Sequence, residues 1–324
     1  MAAAMETFDY GRNFIVVWSS WKGVGVRRGN VVRLALLALI WGSSFLWIKL
    51  ALEGLSPVQI AFTRLTLGAG VLLGWARMRG LTLPRGRVVW AQLVVAAVFA
   101  NAIPFILFAV GEQTVDTSLA GIMNATTPLW TIAVALTVRH ERRLSGARAA
   151  GLLLGFAGTV LILAPWQGAT AGTWGAVACG AAALSYGISF VFMDRFLAGR
   201  GIPPVALAGS QLLAGAGLLA LVVPFAGLQP VSLDLPVIAA ILILGAVGTG
   251  IAYVLNYRLI TDDGATVAST VTYLIPVAAV ALGVVVLGEP LHLNVLAGMV
   301  VVLAGIALTR RKPVTVPALA AAAR

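Results

Sequence analysis

Long apolar runs separated by short polar breaks fill most of the chain. A helix needs roughly 17–25 apolar residues to cross a hydrocarbon core about 30 Å thick. Ten runs approach or reach that length, at 34–54, 58–77, 89–111, 117–138, 147–165, 173–194, 203–226, 236–258, 265–287 and 293–309. None alternates polar and apolar residues as a membrane strand does. The pattern predicts an all-α integral membrane protein of ten transmembrane helices, joined as antiparallel hairpins by short connections.

Basic residues occupy every second connection. Arg27, Arg28 and Arg33 precede the first run, Arg77, Arg79, Arg85 and Arg87 follow the second, and Arg139, Arg142, Arg143 and Arg148 follow the fourth. Arg195 and Arg200, then Arg258, then Arg310, Arg311 and Lys312 continue the series, while the intervening connections carry neither Lys nor Arg. Cytoplasmic loops of membrane proteins are enriched in these residues, so both termini are expected in the cytoplasm and the protein in the cytoplasmic (inner) membrane as a multi-pass chain. Residues 1–33 read as a basic cytoplasmic tail and 311–324 as a disordered tail.

Composition sharpens this picture. The chain is 60% hydrophobic and 10% charged, against about 25% charged residues in a soluble domain, so lipid is its expected surroundings. The net charge of +11 would suit nucleic acid if it formed a patch. Spread over six short segments it is a topological signal, and no nucleic-acid partner is expected.

The chain also repeats itself. "IWGSSF" (40–45) returns as "SYGISF" (185–190), an offset of 145 residues. At offsets of 147–148, Gly68 and Gly70 meet Gly215 and Gly217, Pro128 meets Pro276, Glu141 meets Glu289, and Gly151 and Gly158 meet Gly298 and Gly305. Five runs per unit is an odd number, so the second unit, 173–310, enters the membrane inverted relative to the first, 34–165. Inverted repeats of this kind build alternating-access carriers, with the substrate near the midplane. Oligomeric state is not legible in the sequence.

Ten runs in two units, the Trp-Gly-x-Ser-Phe cluster and "LGEPL" (287–291) resemble the drug/metabolite transporter superfamily, EamA type, over about 34–310. The resemblance implies a secondary, non-ATP carrier of small metabolites, often an amino-acid exporter. Two departures are visible: "RHERRL" (139–144) stands where the family shows a Gly-Glu pair, and Gln211 occupies the place of Arg64. A multidrug or other metabolite carrier is the alternative, with a channel behind it. A channel would want a ring of like charges or a carbonyl filter, and the sequence offers neither.

Enzyme chemistry lacks its parts. Both histidines, His140 and His292, lie in connections, Cys179 is the only cysteine, and no Walker-type phosphate loop occurs. Neither cofactor nor metal is expected. The cavity is expected to draw on Trp41, Ser44, Asn101, Asn124, Tyr186, Ser189, Tyr253, Thr272 and Tyr273, whose rings and polar tips suit a small neutral or zwitterionic metabolite, an amino acid with an aromatic or apolar side chain above all. Pro128 and Pro276 are expected to kink mirrored helices by freeing the carbonyls of Asn124 and Thr272. Lys49, Glu53 and Arg64 are expected to form a charged cluster near the outer face, and Glu141 and Glu289 to cap the helices they begin. The eleven acids all fall in tails, connections or ends of runs. Proton coupling by an acid at the midplane is therefore not expected, and the reading is facilitated diffusion or exchange.

Overall fold

The computed structural model describes residues 28–138, 146–163, 171–197, 200–226, 229–263 and 271–309. The described residues are helical and contain no strand. Seven segments are long and apolar enough to cross a membrane: Val32–Ala51, Pro57–Met78, Arg87–Gly111, Thr117–Thr137, Gly172–Met193, Pro204–Val222 and Leu235–Asn256. Shorter apolar helices at Ala149–Ile162, Leu274–Leu287 and Leu293–Gly305 occupy the places of the fifth, ninth and tenth predicted runs.

Several of these segments are interrupted, and the interruptions carry the polar residues. The first is broken at Ser43 into α1 (Arg28–Gly42) and α2 (Ser44–Ala51). The second, α3 (Pro57–Met78), begins with a capping box in which Ser56 and Gln59 bond each other's backbone amides. The third runs as α4 (Arg87–Ala97), a π-helical stretch Val98–Ala102, and α5 (Ile103–Gly111). The fourth is split into α6 (Thr117–Asn124) and α7 (Thr127–Thr137), and α8 (Gly146–Leu163) follows. Next come α9 (Ala171–Phe196) and α10 (Pro204–Val222), then α11 (Leu235–Leu242), a second π-helical stretch Ile243–Ile251, and α12 (Ala252–Asp263). Two helices close the bundle, α13 (Val271–Leu287) and α14 (Leu293–Thr309). Widened π turns inside α-helices are rare and often mark functional sites. Here both occur within apolar helices.

The proline helices, expected to be alike, differ. Pro128 sits in the first turn of a new helix, where its missing amide costs nothing. The carbonyl of Asn124 is met by the Thr127 hydroxyl at 2.8 Å, and Thr126 likewise donates to the Met123 carbonyl at 2.6 Å. Two hydroxyls therefore supply donors to the carbonyls at the break. Pro276 remains inside the continuous α13.

Glycines set the closest approaches. A Cβ on Gly305 of α14 would lie 2.6 Å from the Gly155 amide nitrogen of α8, and one on Gly158 would lie 2.9 Å from the Gly298 carbonyl. These helices touch backbone to backbone, as small residues allow between helices in lipid. Gly42 of α1 lies against Ile275, Ala278 and Ala279 of α13, and Gly187 of α9 lies against Trp130 and Thr131 of α7. Each glycine of the duplicated cluster thus seats its helix against a proline-bearing one. Around this interior, Leu153, Leu221 and Val300 are exposed on the outside of the bundle, which suits a lipid surface.

Candidate functional site

The two π-helical stretches meet the helices from the other half of the chain through polar side chains. Arg64 on α3 donates from Nε to Thr249 Oγ1 at 2.9 Å, and the Thr249 hydroxyl donates to the Leu244 carbonyl at 2.9 Å. Gln211 on α10 donates from Nε2 to Asn101 Oδ1 at 2.6 Å. Asn101, Gln211 and Thr249 are all buried. Arg64 and Gln211 are 147 residues apart, Asn101 and Thr249 148, so the two bridges occupy matching places in the two halves.

Arg64 is the electrostatic centre of this region. Its guanidinium lies over the Phe105 ring, 4.0 Å from the centroid, a cation–π contact. Tyr186 and Tyr253 are within its electrostatic reach. Trp41 meets Tyr253 edge-on with centroids 6.5 Å apart, Tyr253 interacts with the Asn101 side chain, and Tyr186 lies 6.1 Å from Phe108. Phe45 in turn stands edge-on to Phe108 at 5.3 Å. Among the described residues no carboxylate forms an ion pair with Arg64. The arrangement can accept an anionic group at the guanidinium and a ring or alkyl group against the aromatic wall.

Of the predicted cavity residues, Trp41, Asn101, Tyr186 and Tyr253 belong to this region. Ser44 is buried beside the second π stretch, 3.4 Å from where a Cβ of Gly248 would lie. Its hydroxyl is satisfied across the break at Ser43, donating to the Ile40 carbonyl of α1 at 3.2 Å. The Ser189 hydroxyl donates within α9 to the Tyr186 carbonyl at 2.8 Å. Asn124 ends α6, half-buried. The side chains of Thr272 and Tyr273 lie outside the described residues, as does Glu141.

The expected Lys49–Glu53–Arg64 cluster does not form. Lys49 donates to the carbonyls of Glu112 and Val115 at 2.7 and 2.9 Å, placing its charge at the C-terminal end of α5, where the helix dipole favours a cation. Arg64 turns to Thr249, and Glu53 stays exposed. For a charge within apolar surroundings, helix-end carbonyls and a hydroxyl offer partners that bring no second charge to desolvate.

Glu289 also has a different role from the one expected. Gly288, with φ +67°, ends α13, and the Glu289 amide reaches back to the Gly283 carbonyl at 3.1 Å. The side chain then crosses to α6. Its carboxylate accepts from the amides of Thr117 and Ser118 at 2.7 and 3.0 Å and from the Ser118 hydroxyl at 2.7 Å. Glu289 thus caps α6 of the first half instead of α14. A Cβ on Gly283 would collide with its Oε2.

At the same end, the Ser232 amide donates to the Gly54 carbonyl at 3.0 Å, and Gln59 Nε2 donates to the Gln229 carbonyl at 3.2 Å. The far end holds a cleft of about 480 Å³ lined by Arg85, Val89 and Arg200, among others. Gln211, Thr249, Phe105 and the contact of Glu289 with α6 were absent from the expected site. The first two were within reach of the sequence, because the repeat offsets pair them with residues already singled out.

A bundle of membrane-length apolar helices, with its polar groups turned inward, defines a multi-pass membrane protein. Both halves of the chain, residues 31–164 and 173–311, match the EamA-like transporter family. The chain belongs to that family and is a membrane transporter. An "uncharacterized transporter" of Archaeoglobus fulgidus is 25% identical over 288 residues, covering 86% of this chain and 98% of its own. The "uncharacterized inner membrane transporter YedA" of Escherichia coli K12 is 27% identical over 270 residues, 80% of this chain and 83% of its own. A solved crystal structure at 21% identity superposes with a TM-score of 0.61 over 88% of this chain and 98% of its own, and has the same fold.

Proposed function

We propose that the protein is a secondary carrier working by alternating access in the cytoplasmic membrane. In this reading it has ten crossings in two inverted units, 34–165 and 173–310, with both termini in the cytoplasm. The observation that carries the reading is the pair of matching bridges, Arg64–Thr249 and Gln211–Asn101. Each joins one half of the chain to the π-helical stretch of the other. The glycine contacts of α1 on α13 and α9 on α7 support the same symmetry. A pseudo-two-fold axis makes inward- and outward-open states similar in energy, which is what a carrier requires.

The substrate is a small metabolite with a carboxylate and an apolar or aromatic body. An amino acid with such a side chain is the best fit, exported when its cytoplasmic concentration is high. Its carboxylate goes to Arg64 and its side chain to the wall of Trp41, Phe105, Tyr186 and Tyr253. The test is counterflow in proteoliposomes containing only this protein, preloaded in turn with aromatic and branched-chain amino acids. Saturable uptake accelerated by unlabelled substrate on the far side is expected. A flux that neither saturates nor responds to the far side would replace the carrier with a channel.

A further inference from the structure

Glu112 is the acid that sequence position misjudges. It follows the last residue of α5, in the turn to α6, yet its side chain is 0% exposed. Neither carboxyl oxygen has a hydrogen-bond partner. Its own backbone carbonyl is taken by Lys49, which also donates to the Val115 carbonyl and makes no hydrogen bond to the carboxyl. The charged and titratable groups facing it are Lys49 from α2, Glu289 after α13, Arg64 from α3 and Cys179 from α9. Glu289, the other carboxylic acid in this set, is already committed as an acceptor to Thr117 and Ser118.

A bare carboxylate buried without donors carries a large desolvation cost. Burial pushes the Glu112 carboxyl well above the usual range, Lys49 and Arg64 pulling it down and Glu289 pushing it up. With Glu112 protonated, the sealed end buries a single carboxylate, Glu289, whose oxygens have donors. With Glu112 ionised, it must bury a second, unpartnered negative charge.

We propose that Glu112 is a proton-binding site, occupied while this end of the bundle is sealed and emptied when it opens. The inference rests on the topology proposed above for placing this end outside. On opening, water reaches the carboxyl, its O–H bond breaks, the electron pair stays on the carboxylate and the proton passes to water. The freed carboxylate then stands beside Lys49, whose hold on the Glu112 and Val115 carbonyls weakens as the turn moves. Closure takes a proton back from the outer water, so external acidity favours the sealed state.

The test follows shape instead of transport, and so succeeds or fails independently of the substrate reading. Spin labels are placed at the exposed positions Gln113 and Leu291, in the two turns that the Glu289–Ser118 contact holds together, in a Cys179→Ala background. In lipid nanodiscs the distance distribution is expected to be short at acid pH and to gain a longer component as pH rises. Glu112→Gln, a mimic of the protonated acid, is expected to hold the short distance at every pH. A distribution that ignores pH, or that shifts alike in Glu112→Gln, overturns the proposal. A second measurement covers the spectrum of the unlabelled protein at neutral pH. An infrared band of a protonated carboxyl should be present, survive Glu289→Gln and vanish in Glu112→Gln. Its absence from the parent, or its persistence in Glu112→Gln, overturns the proposal equally.

Discussion

Arg64 Nε donates to Thr249 Oγ1 at 2.9 Å across 185 residues of sequence. The bond ties the centre of α3 to the π-helical stretch that precedes α12. The guanidinium carbon lies 4.0 Å from the Phe105 centroid, within electrostatic reach of Tyr186 and Tyr253. A planar fork held on one edge is preorganised to receive a carboxylate on the other.

Arg64→Lys keeps the charge but loses the guanidinium's bond to Thr249 and its contact with Phe105. A charge-assisted hydrogen bond contributes about 1.5–3 kcal/mol. The half-saturating concentration of a carboxylate substrate should therefore rise roughly 10- to 100-fold in Arg64→Lys, with protein yield little changed. Counterflow over a range of substrate concentrations measures it. An unchanged value would place the carboxylate elsewhere.

The Gln211–Asn101 bridge should behave as one unit. Gln211→Ala leaves Asn101 Oδ1 buried without its donor, and Asn101→Ala strands Gln211. The double variant should be less destabilised than the sum of the singles, with a coupling of about 1 kcal/mol. Thermal unfolding of the four proteins in detergent gives the cycle.

Glu289 provides three acceptor contacts to the start of α6. Its loss in Glu289→Ala should cost about 2 kcal/mol, seen as a lower melting temperature. Gly283→Ala should produce a similar loss with the carboxylate still present, because the added methyl occupies the place of Oε2. If Gly283→Ala melts like the parent, the turn after α13 is looser than its bonds indicate.

The pH profile of stability depends on Glu112. Its carboxyl is held above its unfolded range by burial, so the folded state binds the proton more tightly than the unfolded chain does. Stability is then full at acid pH and declines as pH rises from the ordinary carboxylate range through the raised folded value. Glu112→Gln should flatten this slope, and melting curves from pH 4 to pH 9 would show a growing advantage of the variant on the alkaline side.

The close contact of α8 with α14 gives a purely structural expectation. Gly305→Leu should separate helices whose backbones touch at Gly155 and Gly151, lowering yield and stability by about 1–3 kcal/mol. These glycines lie away from Arg64, so the folded fraction should keep its substrate affinity.

The membrane class of this protein was readable from the sequence because the physics is local. A run of apolar residues long enough to span lipid satisfies its backbone as a helix, whatever its neighbours do. The repeated glycines were visible as matching positions, and Trp41, Asn101, Tyr186 and Tyr253 were identifiable as polar or aromatic groups in apolar runs. Side-chain pairing was not local. Lys49 and Glu53 are one helical turn apart, a spacing that suggests an ion pair, yet Lys49 found the carbonyls of Glu112 and Val115 because α5 ends beside it. Glu289 precedes α14 in sequence, but the positive-φ turn at Gly288 carries it to α6. Glu112 looks like a loop acid because it adjoins a run's end, and only the packing of that end removes it from water. Periodicity records where a residue sits along its own helix. Which helix ends converge, and which charges they desolvate, is decided by how the helices are arranged around one another.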